Sequence, residues 1–189
     1  MRTSSEHKVE TRQRIMDEAG RLFRRHGIDG VGVDAVMHQA GLTHGGFYGH
    51  FASKEALAAE VCADTLSRSA ARWARTRAED GARAALARIV ESYLNAAHVA
   101  EGERGCIVPA LGAELARRPQ SRPALTAALR GMIDTLASCL PRRRRPARER
   151  AIAGFACMVG AVVLARLSSD PALSAEILAA ARAEVVGSG

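Results

Sequence analysis

From residue 15 to residue 185 apolar side chains recur at separations of three and four, and no stretch alternates apolar with polar residues. That is the period of a helix with one face in a core, and it leaves nothing from which to build a sheet. The first stripe is Ile15, Ala19, Leu22 and Phe23, with Arg12, Arg14, Asp17, Glu18 and Arg21 largely on the other faces. It predicts a helix over 10–26, closed by Gly27. The same spacing and its punctuation by Gly, Pro and N-cap residues predict helices over 33–39, 43–50 with Thr43 as N-cap, and 53–77. Leu86, Ile89, Val90, Tyr93, Leu94 and Ala97 extend one further helix to a break at 101–105. Helices over 107–117, 123–140, 147–167 and 171–186 complete an all-α chain of nine helices, with the four-arginine run inside 141–146 as a loop. Thirty-eight alanines and an aromatic share of 4% agree with that class.

A chain of 189 residues with 48% hydrophobic content has room for one or two compact units. The formal charge of +7 permits a polyanionic partner without requiring one. Cys62, Cys106, Cys139 and Cys157 have no close spacing, so neither a disulfide framework nor a zinc site is suggested, and reduced thiols in a cytoplasm fit best. Residues 1–10 are polar, and the longest uncharged apolar run, 151–165, falls short of the roughly 20 residues of a membrane span. No membrane association is expected. No nucleophile–base–acid set, metal-ligand spacing or phosphate loop is present, so the residues call for neither catalysis, metal nor cofactor.

The most informative segment is Gly41-Leu42-Thr43-His44-Gly45-Gly46-Phe47-Tyr48-Gly49-His50-Phe51-Ala52-Ser53-Lys54. A helix meant only for packing would not carry Gly45, Gly46 and Gly49, since each costs about 1 kcal/mol against alanine. Something must approach that backbone closely. A helix over 33–39, a tight turn at 40–42 and a short capped helix have the form of a helix-turn-helix, whose second helix enters the major groove by its N-terminal end. Tyr48, His50 and Lys54 flank the glycines with groups suited to phosphate oxygens. Five of the six histidines lie in the first 50 residues, where titratable positive charge would favour a phosphate backbone.

These residues resemble the TetR family of transcriptional regulators: Arg14-Ile15-Met16-Asp17-Glu18-Ala19, Leu22-Phe23, Gly27, Val33, Ala40-Gly41-Leu42-Thr43, and above all Phe47-Tyr48-x-His50-Phe51-x-Ser53-Lys54-Glu55-Ala56-Leu57. The resemblance implies that His44, Gly45 and Gly46 face bases of double-stranded operator DNA and that Tyr48, His50 and Lys54 face phosphates; with glycines at 45 and 46, specificity is expected to fall on His44 together with Thr43. Phe47 and Phe51 are expected in the core. Gly32 stands where the family commonly has Thr or Ser, which removes a helix cap and one phosphate contact. The implied organisation is a DNA-binding domain over 1–52 and a ligand-binding and dimerisation domain over 53–189.

In the larger part Trp73, Tyr93, Val108, Leu111, Met132 and Phe155 are candidate cavity residues, with Glu91, Asn95, His98 and Glu114 as polar candidates; a mostly apolar effector of unknown identity is expected. Cys106 lies beside Arg104 at a helix start, where a lowered thiol pKa and a role toward a thiol-reactive effector are one reading and pocket lining is the other. Residues 151–165 form a helix with no polar face, which must be covered on several sides. A two-fold four-helix bundle made with the last helix, giving a homodimer, covers it most economically. The resulting expectation is a ligand-responsive regulator, a repressor by the family's common mode; the alternative is a small-molecule carrier or enzyme whose N-terminal helices only pack.

Overall fold

The computed structural model describes residues 4–141 and 143–187, so Arg142 of the arginine loop lies outside the described residues. These hold nine α-helices, two 3₁₀ segments and no strand. Helix α1 is Ser4–His26 and α2 is Val33–Gln39, followed by a 3₁₀ segment, His44–Gly49, and by α3, Lys54–Asp80. Then come α4 (Ala82–Tyr93), α5 (Ala96–Ala100), α6 (Ile107–Ala116), a 3₁₀ turn (Pro119–Ser121), α7 (Arg122–Cys139), α8 (Ala147–Leu167) and α9 (Pro171–Gly187).

Three expectations change. The element expected over 43–50 is 3₁₀ rather than α, and Thr43 has cap-like extended backbone but no side-chain cap bond. Three glycines in six residues give too little propensity to wind the chain into α turns. The helix expected to run through Ala97 breaks at Leu94 and restarts: the Asn95 side chain accepts from the His98 N–H at 2.8 Å and donates to the Glu91 and Ser92 carbonyls. A capping side chain satisfies both helix ends there, which outweighs a continuous apolar stripe. Helix α1 begins well before residue 10, since its polar first turns need only exposed helix propensity.

Helix α3 is the axis of the molecule. Ser53 caps it, accepting from the Ala56 N–H at 3.1 Å, and Gly81, with φ of 77°, stops it. Its Leu57, Ala58, Val61 and Cys62 pack with Ile15, Ala19, Phe23, Phe47 and Phe51 at one end, while Trp73 joins Ile89, Tyr93, Met132 and Phe155 at the other. Fully burying each large side chain contributes on the order of 1.5–3 kcal/mol. Helix α8 lies against α9, α7, α6 and α5, with Phe155, Met158 and Val162 buried. Its 21 residues are long and apolar enough to cross a membrane, because the helix continues beyond the uncharged run at both ends. The expectation that length excludes a span is therefore corrected; it is packing against four neighbours that makes α8 a bundle helix.

Candidate nucleic-acid interface and effector cavity

Helix α2 and the 3₁₀ segment form a two-element unit seated on α1 and α3. Gly41, at φ 66°, turns the chain, and the Leu42 N–H donates to the Met37 carbonyl at 2.9 Å. Phe47 is fully buried, with Phe51 5.8 Å away between ring centroids, so the inner side of the segment is fixed. Its outer side presents Thr43, His44, Gly45, Gly46, Tyr48 and Gly49, all exposed. A Cβ added at Gly45 or Gly49 would meet nothing within 4 Å, and one at Gly46 the Met37 Cε at 3.6 Å and the Thr43 Oγ1 at 4.0 Å. The protein's own packing therefore does not demand glycine at 45 or 49, and the space they leave opens outward. Tyr48 is 64% exposed, held edge-on by Phe47 at 5.3 Å.

The expected contact residues are not equally free. His44 pairs through Nδ1 with the Asp34 carboxylate in the first turn of α2, a partner the sequence reading did not include. The Lys54 ammonium donates to the Val31 carbonyl at 3.0 Å, tying the start of α3 to the turn before α2. His50 is half-buried with its Nδ1 unpartnered among the described residues, and burial first, then Lys8 and Arg12, push its pKa below the ordinary value. It is neutral at pH 7, so it does not supply the positive charge expected of it. Arg12 lies over the Phe51 ring at 4.4 Å and pairs with Glu60 at 2.5 Å, stapling α1 to α3.

A cavity of about 240 Å³ lies between α3, α4, α5, α7 and the 101–106 loop. Of the expected lining residues Trp73, Tyr93, Cys106 and Met132 line it, as do Asn95 and His98. Leu111 and Phe155 are core residues behind the wall, with Phe155 5.6 Å from Trp73, and Val108 and Glu91 lie elsewhere. Glu114 instead accepts the Ile28 N–H at 2.8 Å. The sequence reading missed Ser69, Arg72, Ser92, Glu101 and Arg104. Arg72 adjoins Trp73, so its place on the same wall was legible; the folding-back of 101–105 was not. The lining is more polar than expected.

Two groups fix the loop. His98 uses both ring nitrogens: Nδ1–H donates to the Tyr93 carbonyl at 2.6 Å, and Nε2 accepts from the Cys106 N–H at 2.9 Å. Burial holds the imidazole below its usual pKa, in this neutral tautomer. Burial likewise pushes the Cys106 thiol up, outweighing Tyr93, the Val108 amide, Arg72 and Arg166, so the expected lowering does not occur. Glu103 is held by α1: its carboxylate pairs with Arg21 at 3.3 Å and Arg25 at 2.9 Å, and its carbonyl accepts from Arg24 at 2.5 Å. All four cysteines are free, and no metal-binding group occurs among the described residues.

A helix-turn-helix with an outward glycine face, joined by one long helix to a helical body containing a cavity, is the architecture of a one-component DNA-binding regulator. Residues 15–61 match the family described as "Bacterial regulatory proteins, tetR family". The chain is 29% identical over 140 residues to the HTH-type transcriptional regulator UidR of Escherichia coli, covering 74% of this chain and 67% of that protein. Its fold superposes on E. coli NemR in the reduced form with a TM-score of 0.81 at 22% identity, over 93% of this chain and 95% of the other. A TetR-family regulator from Agrobacterium tumefaciens gives 0.78 at 18% identity, over 93% and 97%. The DNA-reading unit, over residues 15–61, is thus that of the TetR family of transcriptional regulators, and the whole chain shares the fold of its solved members.

Proposed function

We propose that the chain is a homodimeric repressor, acting in the cytoplasm, that leaves a near-palindromic operator when a small effector occupies the cavity. The observation that carries this reading is the exposed outer side of the 43–49 segment, where Gly45 and Gly49 leave open space that no part of the protein fills. Thr43, His44, Gly45 and Gly46 are assigned to base edges, and Tyr48, His50 and Lys54 to phosphates. Residues 1–52 are the DNA-reading unit and 53–189 the sensing and dimerising unit. The family match runs past that boundary to residue 61, inside α3.

Dimerisation is assigned to α8 and α9. Ile152, Leu164, Leu167, Leu173 and Val186 are exposed on these two helices at 43–78%, an apolar face that a second copy would cover. Coupling between the sites has two routes. Helix α3 runs from the DNA-reading unit to Trp73, and the 101–106 loop lines the cavity while its Glu103 grips α1. An effector that favours another loop position would move α1, provided it binds the DNA-incompetent arrangement more tightly. For Cys106, the raised thiol pKa and its place in the wall favour pocket lining over thiolate chemistry.

The test is binding of the full chain to the DNA upstream of its own coding sequence, followed by a screen for compounds that release it. Specific binding is expected. Affinity no greater than for random DNA, together with catalytic turnover of a small molecule, would favour the carrier or enzyme reading instead.

A further inference from the structure

We infer that the cavity between α3, α4, α5, α7 and the 101–106 loop takes a small aromatic carboxylate, its ring on Trp73, Tyr93 and Met132 and its carboxylate toward Arg72 and Arg104. This deepens the effector reading above and rests on it. The floor is apolar: Trp73, Tyr93 and Met132 line it, and Trp73 meets Tyr93 edge-to-face at 6.0 Å. Such a surface takes the face or edge of a ring.

The polar groups set the sign of the ligand's charge. Tyr93 is 5% exposed, and its hydroxyl has only the Cys106 thiol beside it, with no nitrogen or oxygen partner among the described residues. A thiol is a weak partner for a buried hydroxyl, and a ligand oxygen would satisfy it better. His98 has no donor left, and Arg166 is committed to the His98 and Val99 carbonyls. The guanidinium groups of Arg72 and Arg104, both on the cavity wall, have no hydrogen-bond acceptor or ion-pair partner among the described residues. One acidic residue, Glu101, shares the lining with them.

The adjoining cavity shares Ser69, Arg72, Arg104, Gly105 and Cys106 and adds Arg21, Arg24 and Arg68 against Asp17. Of these, Arg68 is paired with Asp17 and Asp64, and Arg21 with Glu18 and Glu103. The uncommitted charge is thus net cationic, Arg72 and Arg104 against the single carboxylate of Glu101. A planar guanidinium fork suits a carboxylate. A neutral hydrocarbon would leave the Tyr93 hydroxyl with the Cys106 thiol alone, and a cation would face both arginines. At about 240 Å³ the space is below the roughly 300–1,000 Å³ of sites for drug-sized molecules, which limits the ligand to about one ring and a short acid chain.

The experiment titrates the full chain with benzoate and cinnamate and with their amides, read by calorimetry and by the fluorescence of Trp73, the sole tryptophan. Saturable quenching by at least one acid is expected, with its amide at least about tenfold weaker. Arg72→Gln and Arg104→Gln should each weaken the acid about tenfold and leave the amide unchanged, and Tyr93→Phe should weaken the acid several-fold. Both arginines are exposed, and an unshifted Trp73 emission spectrum checks that the variants remain folded.

Equal affinity for acid and amide, no saturable binding of either acid up to about 10 mM, or full acid affinity in both arginine variants overturns the inference. Acid binding that leaves operator affinity unchanged would uphold this site and overturn effector release. Release by some other compound, with neither acid bound, would do the reverse.

Discussion

Gly45 has non-strained backbone and nothing within 4 Å of an added Cβ, so Gly45→Ala should leave stability unchanged or raise it by up to about 1 kcal/mol. The same methyl group would project from the DNA-reading face, so operator affinity should fall; a variant that melts like the parent and binds operator equally well would remove Gly45 from the interface. Lys54 requires a different comparison because its ammonium already holds the Val31 carbonyl. If it also meets phosphate, Lys54→Ala should weaken operator and random DNA alike and make the salt dependence shallower. A lowered melting temperature with an unchanged salt slope would assign it to structure alone. His98 and His50 both have pKa values lowered chiefly by burial, so the unfolded chain binds more protons than the folded one just below the ordinary imidazole value near 6.5. Their contribution is full above that pH and is lost as pH falls through the lowered values. Thermal melts at pH 7.5 and pH 5 should show this loss, and His98→Gln should reduce it.

At the scale of elements, the joint between the DNA-reading unit and the body is made by backbone turns and side chains that the helical pattern does not reveal. Gly27 ends α1 at φ 76°, and a Cβ there would lie 2.8 Å from Glu114 Oε1, the side chain that also accepts the Ile28 N–H. Gly27→Ala should therefore cost more than about 1 kcal/mol, by backbone strain and by displacing Glu114, measurable by denaturant titration. Glu103 differs: its pairs with Arg21 and Arg25 are exposed enough to add little stability, but they join the cavity loop to α1. Glu103→Gln should melt close to the parent while changing how strongly a bound effector lowers operator affinity. The helices of this joint were legible from periodicity and from Gly and Pro positions. The α4–α5 break was not, because Asn95 within an apolar stripe looks like a solvent-facing residue until its side chain is seen to cap α5.

For the whole molecule, two DNA-reading units must be held about one helical repeat apart, roughly 34–36 Å, to engage both halves of a near-palindrome. Leu164 is 56% exposed on α8, so Leu164→Glu should leave the protomer folded while placing a charge in the proposed interface. Sedimentation velocity should show monomers, and operator affinity should fall far more than affinity for a half-site, since the second contact would no longer be linked to the first. A variant that stays dimeric would move the interface away from α8 and α9.

What the sequence by itself determined is what rests on neighbours along the chain. The 3.6-residue period identified the helices, Gly27, Gly41 and Gly81 marked three of their ends, and the dense string from Phe47 to Leu57 identified the DNA-reading unit and the family it resembles. Phe47 and Phe51 are buried as their spacing required. Tertiary structure alone decided which charges remain uncommitted. His44 meets Asp34 ten residues away, Lys54 meets Val31, Glu103 meets α1 across about eighty residues, and Arg72 and Arg104 come to one cavity from separate elements. Periodicity specifies which face of a helix is buried but not which distant helix lies opposite, and the pairing, desolvation and pKa of a polar group depend on that neighbour.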